Sequence, residues 1–294
     1  MNLRPIRIPK LPNLNSHKVK LQNELKLNRT YIVGILNVTP DSFSDGNKYY
    51  RLSKAIDHAL EMIENGADII DIGGESTRPG SKPVLSGVEC KRVIPIIENL
   101  VRIKPDILIS IDTYKSEVAN EAIKAGARIV NDISGLGFDS KMVSVVSRYK
   151  IPVILMHIKK TPQTMQINPT YSNLKSEIFS YFKERINFAV KNGIDKKQII
   201  IDPGLGFGKR LEDNYKILGW LEELHELGQA IMVGPSRKSF IGKLLGLPPQ
   251  ERIEGTAAVV TCAVLKGVHF IRIHDIKEMK RVITIAETIN KYDR

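Results

Sequence analysis

Cysteine is scarce: Cys90 and Cys262 are the only two in 294 residues. Two thiols build neither a disulfide framework nor a thiolate metal cluster, so a reducing, cytoplasmic setting is expected. Both lie in helical patterns without an adjacent base, which argues against a thiol nucleophile. No run of 18 or more apolar residues occurs, so no membrane-spanning helix is expected. The HxxxH and DxD spacings of a dedicated metal cage are also missing. Acid is scarce in residues 1–30, where Glu24 stands against seven cations: Arg4, Arg7, Lys10, Lys18, Lys20, Lys26 and Arg29. That segment carries half of the net charge of +12, contains three prolines and lacks the apolar core of a secretory signal. It is read as a flexible N-terminal extension, residues 1–30, to a single domain over 31–294.

The composition, 42% hydrophobic and 26% charged, supplies enough apolar side chains for one substantial core. From Tyr31 onward, apolar runs alternate with longer helical patterns. Strands are expected at 31–37, 69–73, 107–112, 129–132, 152–157, 199–202, 230–234 and 269–273. Eight strands separated by helices predict an α/β fold, a closed (β/α)₈ TIM barrel. A local repeat supports this. "ENGADIID", "KAGARIVN" and "LKGVHFIR" each end a helix on glycine (Gly66, Gly126, Gly267) and reach a polar residue five positions later (Asp71, Asn131, Arg272).

The strands close on polar motifs: Asn37, "GGESTRPG" (73–80), "SIDT" (110–113), "VNDISG" (130–135), "LMH" (155–157), "IDPGLGFGK" (201–209), "VGPSRKS" (233–239) and "RIHD" (272–275). A barrel opens all its strand C-termini on one face, where substrate sites lie. Charge at almost every one of them points to an enzyme.

Ser236, Arg237 and Lys238 sit between a strand and a helix, where backbone N–H groups favour anions. Arg272 and His274 occupy alternate positions of the last strand and face the same way. An arginine can fork onto phosphate oxygens or stack on a flat ring. The plainer alternative is that these are solvated loop charges. Asp112 and Asp202 each end a strand and could accept from the amino group and ring N–H of a heterocycle, with Asn131 completing the edge. Their plainer roles are a helix cap for Asp112 and a turn before Pro203 for Asp202. His157 reads as a core histidine. Mg²⁺ bound mainly through substrate phosphates would need only one carboxamide oxygen, such as that of Asn37.

In order along the chain, "ILNVTPDSFSDG", "DIGGESTRPGS", "SIDTYKSEVA", "VNDISG", "TPQTMQINPTY", "IDPGLGFGK", "GPSRKSFIG" and "IRIHDI" closely resemble the motifs of the dihydropteroate synthase family. This resemblance implies a TIM barrel, usually a homodimer. The family condenses 6-hydroxymethyl-7,8-dihydropterin diphosphate with 4-aminobenzoate to 7,8-dihydropteroate and pyrophosphate, with Mg²⁺, and is a sulfonamide target. Carried onto this sequence, Asp112, Asn131, Asp202 and Lys238 would hold the pterin, with Met156 nearby and Arg272 stacked on the ring. Asn37 and His274 would take the diphosphate, Asn37 also its Mg²⁺. The expected catalytic set is Arg272, His274, Lys238 and Asn37. Thr77, Arg78, Phe207, Lys209 and Ser239 would help form the aminobenzoate site. "VTPDSFSDG" resembles the family's first loop, expected to be disordered until it closes over diphosphate. Ile158-Lys159-Lys160 departs from the family pattern after the fifth strand, and Cys90 stands where an acid is common.

Two other classes compete. A folate-dependent methyltransferase on a related barrel would need no diphosphate site, whereas "SRKS" and "RIHD" supply one. A non-catalytic protein could be a pterin-binding paralogue or a nucleic-acid binder. The latter should show a basic stripe with interleaved aromatics, and none is evident.

Overall fold

The computed structural model describes residues 3–9, 24–39 and 48–292. Of the expected first loop, residues 38–46, all but Val38 and Thr39 lie outside them. Two short strands, β1 (Ile6–Arg7) and β2 (Glu24–Leu25), pair antiparallel. Eight strands then form a closed parallel barrel: β3 (Tyr31–Asn37), β4 (Ile69–Gly73), β5 (Leu108–Asp112), β6 (Ile129–Asp132), β7 (Val153–Met156), β8 (Ile199–Asp202), β9 (Ala230–Val233) and β10 (Phe270–Ile273). The sequence pattern places all eight, missing by a residue at a few ends.

Between them lie α1 (Lys48–Glu64), α2 (Ser86–Ile103), α3 (Ser116–Ala125), α4 (Met142–Tyr149), α5 (Leu174–Lys191), α6 (Leu211–Gly219), and the pair α7 (Ser239–Leu245) and α8 (Ile253–Leu265). After β10 comes α9 (Ile276–Tyr292). The three glycines of the helix-to-strand repeat adopt φ of +104°, +122° and +76°, a conformation that side-chain-bearing residues rarely take.

Because side chains alternate along a strand, each strand is apolar on both faces for different reasons. Outward residues such as Ile70, Ile109, Val130, Leu155, Ile201 and Ile271 pack under the helices. Inward residues Tyr31, Val33, Ile69, Leu108, Ile129, Ile154, Ile200, Met232 and Phe270 fill the lower barrel. Ile6, Ile8 and Leu25 join that same cluster, so the described parts of the N-terminal segment form the barrel floor. Buried Arg128 ties this floor down, donating to the carbonyl of Pro9 at 2.6 Å.

The apolar filling then stops. Two residues further along the strands, the inward register reaches Asp71, Ser110, Asn131, Met156, Asp202 and Arg272. Two further still are Asn37, Gly73, Asp112 and His274. Among the described residues, the inward-facing polar groups of the strands therefore lie at one end, opposite the floor that Arg128 ties down.

Candidate active site

Strand register sets the first line of groups. Asn37 pairs with Gly73, Gly73 with Asp112, and Asp112 with Asn131, so four consecutive strands end level with one another. Gly73 leaves a gap in this row: a Cβ there would sit 3.5 Å from Asp112 Oδ2 and 3.7 Å from Asn37 Oδ1.

Arg272 reaches from β10 past β3 to the far strands. Its Nε donates to Asp71 Oδ2 at 2.6 Å and its Nη2 to Asp112 Oδ2 at 2.8 Å. Asn131 Nδ2 donates to the same Asp71 oxygen at 3.0 Å. Asp71 thus joins the arginine to the amide. It is fully buried and its Oδ1 has no partner among the described residues. Asp71 is missing from the sequence-derived set of site residues. The signal was present, since it occupies the same place in the helix–glycine–strand repeat as Asn131 and Arg272.

Asp112 is therefore a partner of Arg272 and not a helix cap; the residue flanking α3 is Lys115. For Asp202 the turn reading holds. Its Oδ1 accepts the Gly204 N–H at 2.7 Å, which is the turn, and its second oxygen is not used there. Burial pushes both carboxyls above the ordinary range, opposed by Arg272 at Asp112 and by the Gly204 N–H and Lys238 at Asp202. Lys238 moves the other way, held below the usual lysine range by burial and by the charge of Arg272. Its Nζ lies 4.0 Å from the centroid of the Phe207 ring. Asp202, Lys238, Asp112 and Arg272 therefore share one field, since each contributes to the charge balance of another. Met156 lies in a small apolar cluster with Ile133, Ile158 and Met165, edged by Tyr114 and Phe207, beside these charges.

The corner formed by β9 and β10 is different. His274 Nδ1 and Ser236 Oγ are 2.9 Å apart, and Ser236 Oγ also accepts the His274 N–H at 3.2 Å. Burial, followed by the charges of Arg272 and Arg237, lowers the His274 pKa to about 3, so the ring is neutral. Arg237 departs from the expected anion set. It pairs through Nε with Asp275 Oδ2 at 3.1 Å, and its second nitrogen bonds the other carboxylate oxygen. Of the "SRK" triplet, Lys238 alone points its charge toward the carboxylates of the mouth.

Thr77 and Arg78 ride the β4–α2 loop at the surface, and Ser239 is exposed at the start of α7. Lys209 is turned away from that surface. It is buried, and its Nζ meets His157 Nδ1 at 3.0 Å, the Phe207 carbonyl at 3.0 Å and the His157 carbonyl at 3.3 Å. Three acceptors match the three hydrogens of an ammonium, and burial, followed by the charge of Lys209, holds the His157 pKa well below its ordinary value, so its ring is neutral. Burial nevertheless lowers the Lys209 pKa to about 7. The residue fastens the β7–α5 loop to the β8–α6 loop. Its side-chain direction follows from Gly204, Gly206 and Gly208, at φ of +67°, +82° and +64°, and no spacing rule conveys that.

His157 is a satisfied core histidine, as expected, edge-on to Tyr181 with ring centroids 4.8 Å apart. The unusual Ile158–Lys160 segment is well anchored. Ile158 is buried beside Met156, Lys159 Nζ sits 4.0 Å over the Tyr171 ring, and Lys160 Nζ donates to the Ile167 carbonyl at 2.7 Å.

No group of three or more metal-binding His, Cys, Asp or Glu side chains occurs among the described residues. One hard oxygen does fit a cation, that of Asn37 beside the gap at Gly73 and the Asp112 carboxylate.

The arrangement offers acceptors and an amide for a flat, donor-rich ring, and cations with a neutral imidazole for an anion. Comparison with known proteins agrees. The model of the family "Pterin binding enzyme" matches residues 33–274. The dihydropteroate synthase of Bacillus subtilis is 47% identical over 261 residues, 89% of each chain. The structure of Yersinia pestis dihydropteroate synthase in a sulfonamide drug complex superposes with a TM-score of 0.88 at 40% identity, covering 98% of this chain and 100% of the other. That of Xanthomonas albilineans dihydropteroate synthase with 7,8-dihydropteroate gives 0.82 at 38%, covering 90% and 95%.

Proposed function

The chain belongs to the dihydropteroate synthases, a family of pterin-binding enzymes, and from that premise we propose how its rim carries out the reaction. The enzyme is a transferase of folate biosynthesis. It joins 6-hydroxymethyl-7,8-dihydropterin diphosphate to 4-aminobenzoate and releases pyrophosphate.

In this reading the pterin edge lies against Asp202, Asn131 and Asp112. Carboxylates held in a partly desolvated mouth accept from the ring amino and N–H groups more strongly than they would in water. Lys238, stacked on Phe207 and balanced by Asp202, donates to the ring from the other side. Arg272 is already fixed by Asp71 and Asp112, so its guanidinium plane is preorganised to cover the pterin. The diphosphate extends toward β9, β10 and β3, where His274, Arg272 and Asn37 converge. In a TIM barrel the ends of the seventh and eighth strands commonly hold phosphate. The aminobenzoate then occupies the outer mouth between Thr77 and Arg78 on one side and Phe207 and Ser239 on the other. Lys209 supports that wall from behind.

The arylamine is neutral near pH 7 and needs no strong base, and the Ser236–His274 contact supplies none, since burial lowers the pKa of that imidazole to about 3. Chemistry depends on the leaving group. As the methylene C–O bond breaks, negative charge grows on the bridging oxygen and positive charge on the electron-rich pterin methylene. Arg272 opposes the first of these charges, and groups fixed for that task contribute several kcal/mol. The amine lone pair forms the new N–C bond, and its surplus proton passes to solvent or to the released pyrophosphate. Mg²⁺ carried on the diphosphate, with Asn37 as its protein oxygen, would neutralise charge on the leaving group.

We also infer a homodimer. On α9, Ile285, Ile289 and Tyr292 share one outward face and are 63%, 50% and 82% exposed, an apolar stripe that a second copy would cover. A cytoplasmic location fits the two free thiols. Sedimentation at micromolar concentration should give twice the 33.0 kDa chain mass, and a monomer would remove the dimer.

The Arg272–Asp71–Asp112 bridge beside Asp202 and Lys238 carries this reading. Its test is incubation of the purified protein with pterin diphosphate, Mg²⁺ and labelled 4-aminobenzoate. Labelled dihydropteroate and pyrophosphate should appear in equal amounts; a folded protein that binds pterin yet forms neither is a non-catalytic paralogue.

A further inference from the structure

The β4–α2 loop carries Thr77 and Arg78, and one buried carboxylate holds its shape. Glu75 opens the loop and is 9% exposed. Its Oε2 accepts the Val84 N–H at 2.7 Å, from the loop's other end. The same oxygen accepts from Lys115 Nζ at 2.6 Å, while Oε1 accepts from the Tyr114 hydroxyl at 2.6 Å. Lys115 also bonds Glu89 of α2, which is fully buried. Arg92 completes the tie, donating to the Gly74 carbonyl at 2.7 Å.

Position gives this cluster its meaning. Tyr114 and Lys115 directly follow Asp112 and Thr113, so the strand end that holds Arg272 continues into the groups that hold Glu75. Neither glutamate nor the lysine touches Asp71, Arg272 or Asp202 through any bond found among the described residues. A cluster serving stability alone would not need to bind both ends of a surface loop. Two acids around one ammonium is a costly interior arrangement, tolerated when geometry matters. Across the mouth, Gly80 N–H bonds the Pro162 carbonyl at 3.1 Å, a backbone tie at the tip beside the charged ties at the base.

We propose that Glu75, clamped by Lys115 and Tyr114, is a positioning residue that sets the β4–α2 loop for recognition of the aminobenzoate. The inference rests on the placement of that substrate at Thr77 and Arg78. Glu75 contacts no substrate. Its effect is on where Thr77 and Arg78 stand, and small displacements of positioning groups have large kinetic consequences.

Steady-state kinetics of Glu75→Gln and Tyr114→Phe separate the possibilities. Glu75→Gln keeps the shape but loses the charge facing Lys115. Tyr114→Phe removes one hydrogen bond and retains the ring, so it should fold even if the first variant does not. The expected result is a KM for 4-aminobenzoate raised about tenfold in Glu75→Gln and severalfold in Tyr114→Phe. The KM for the pterin diphosphate should stay within about twofold. A merely structural role would lower the active fraction, and so apparent kcat, with both KM values unchanged; that outcome overturns the proposal. Arg78→Ala is the control for the underlying placement. If Arg78→Ala leaves the aminobenzoate KM unchanged, the substrate does not lie at this loop. If Arg78→Ala raises it and both network variants do not, Glu75 is not what positions the loop.

Discussion

At the scale of single residues, the mouth is a set of groups whose burial works against their charge. Asp202 shows the consequence most simply. Its carboxyl is pushed up to about 6, largely by burial. A raised carboxyl pKa stabilises the native state below the ordinary carboxylate value, and that contribution is lost as pH rises through about 6. The ionised form that can accept from a pterin has the opposite dependence and appears only above that pH. Affinity for a pterin lacking the diphosphate, followed by fluorescence, should therefore fall as pH drops from 8 toward 5. A flat profile would mean that the Asp202 carboxylate is not an acceptor for the ring. Asp202→Asn should weaken the same binding by tenfold or more, because an amide replaces a charged acceptor. Residue identities at the strand ends were legible because each follows an apolar run. What a side chain does there was less so. Lys209 and Arg237 look like free cations in sequence, yet one is spent on two carbonyls and an imidazole and the other on Asp275. Those outcomes depend on loop dihedrals and on residues tens of positions away.

At the scale of elements, the barrel strands were legible because β-branched runs bounded by helix-ending glycines leave little alternative. The loops between them depend on glycine in ways that differ sharply by position. Gly204 has φ +67°, and a Cβ there would lie 2.1 Å from the His157 carbonyl oxygen. Gly80 has φ +80° with nothing within 4 Å. Gly80→Ala should cost only the conformational penalty, about 1 kcal/mol. Gly204→Ala must also part the β7 and β8 loops, so a loss of about 3 kcal/mol or more is expected, with weakened pterin binding. Thermal melts of the two variants compare these directly. Equal shifts would show that the two loops are not pressed together. The N-terminal strands β1 and β2 were not legible, since two residues each are too few to display any period.

At the scale of the whole molecule, the barrel separates its labours between its two ends. The floor is apolar and includes Ile6 and Leu25, 1% and 0% exposed, from a segment that in sequence reads as an appendage. Ile6→Ala or Leu25→Ala should cost about 2–5 kcal/mol, seen as a lower denaturant midpoint, while both KM values stay as they were. An unchanged midpoint would detach this segment from the cooperative core. The rim is where the ends of five strands, β4, β5, β8, β9 and β10, bring opposite charges into one space, and Arg272 joins the halves by bonding across three strands. The most direct test of that arrangement is a single-turnover measurement of bond cleavage in Arg272→Ala, with pterin diphosphate, Mg²⁺ and labelled 4-aminobenzoate at saturation. Release of pyrophosphate should slow by about a hundredfold or more, the usual effect of removing one group that stabilises transition-state charge. A rate within about threefold of the unaltered enzyme, in a variant that still folds, would contradict the role of Arg272 in stabilising the leaving group.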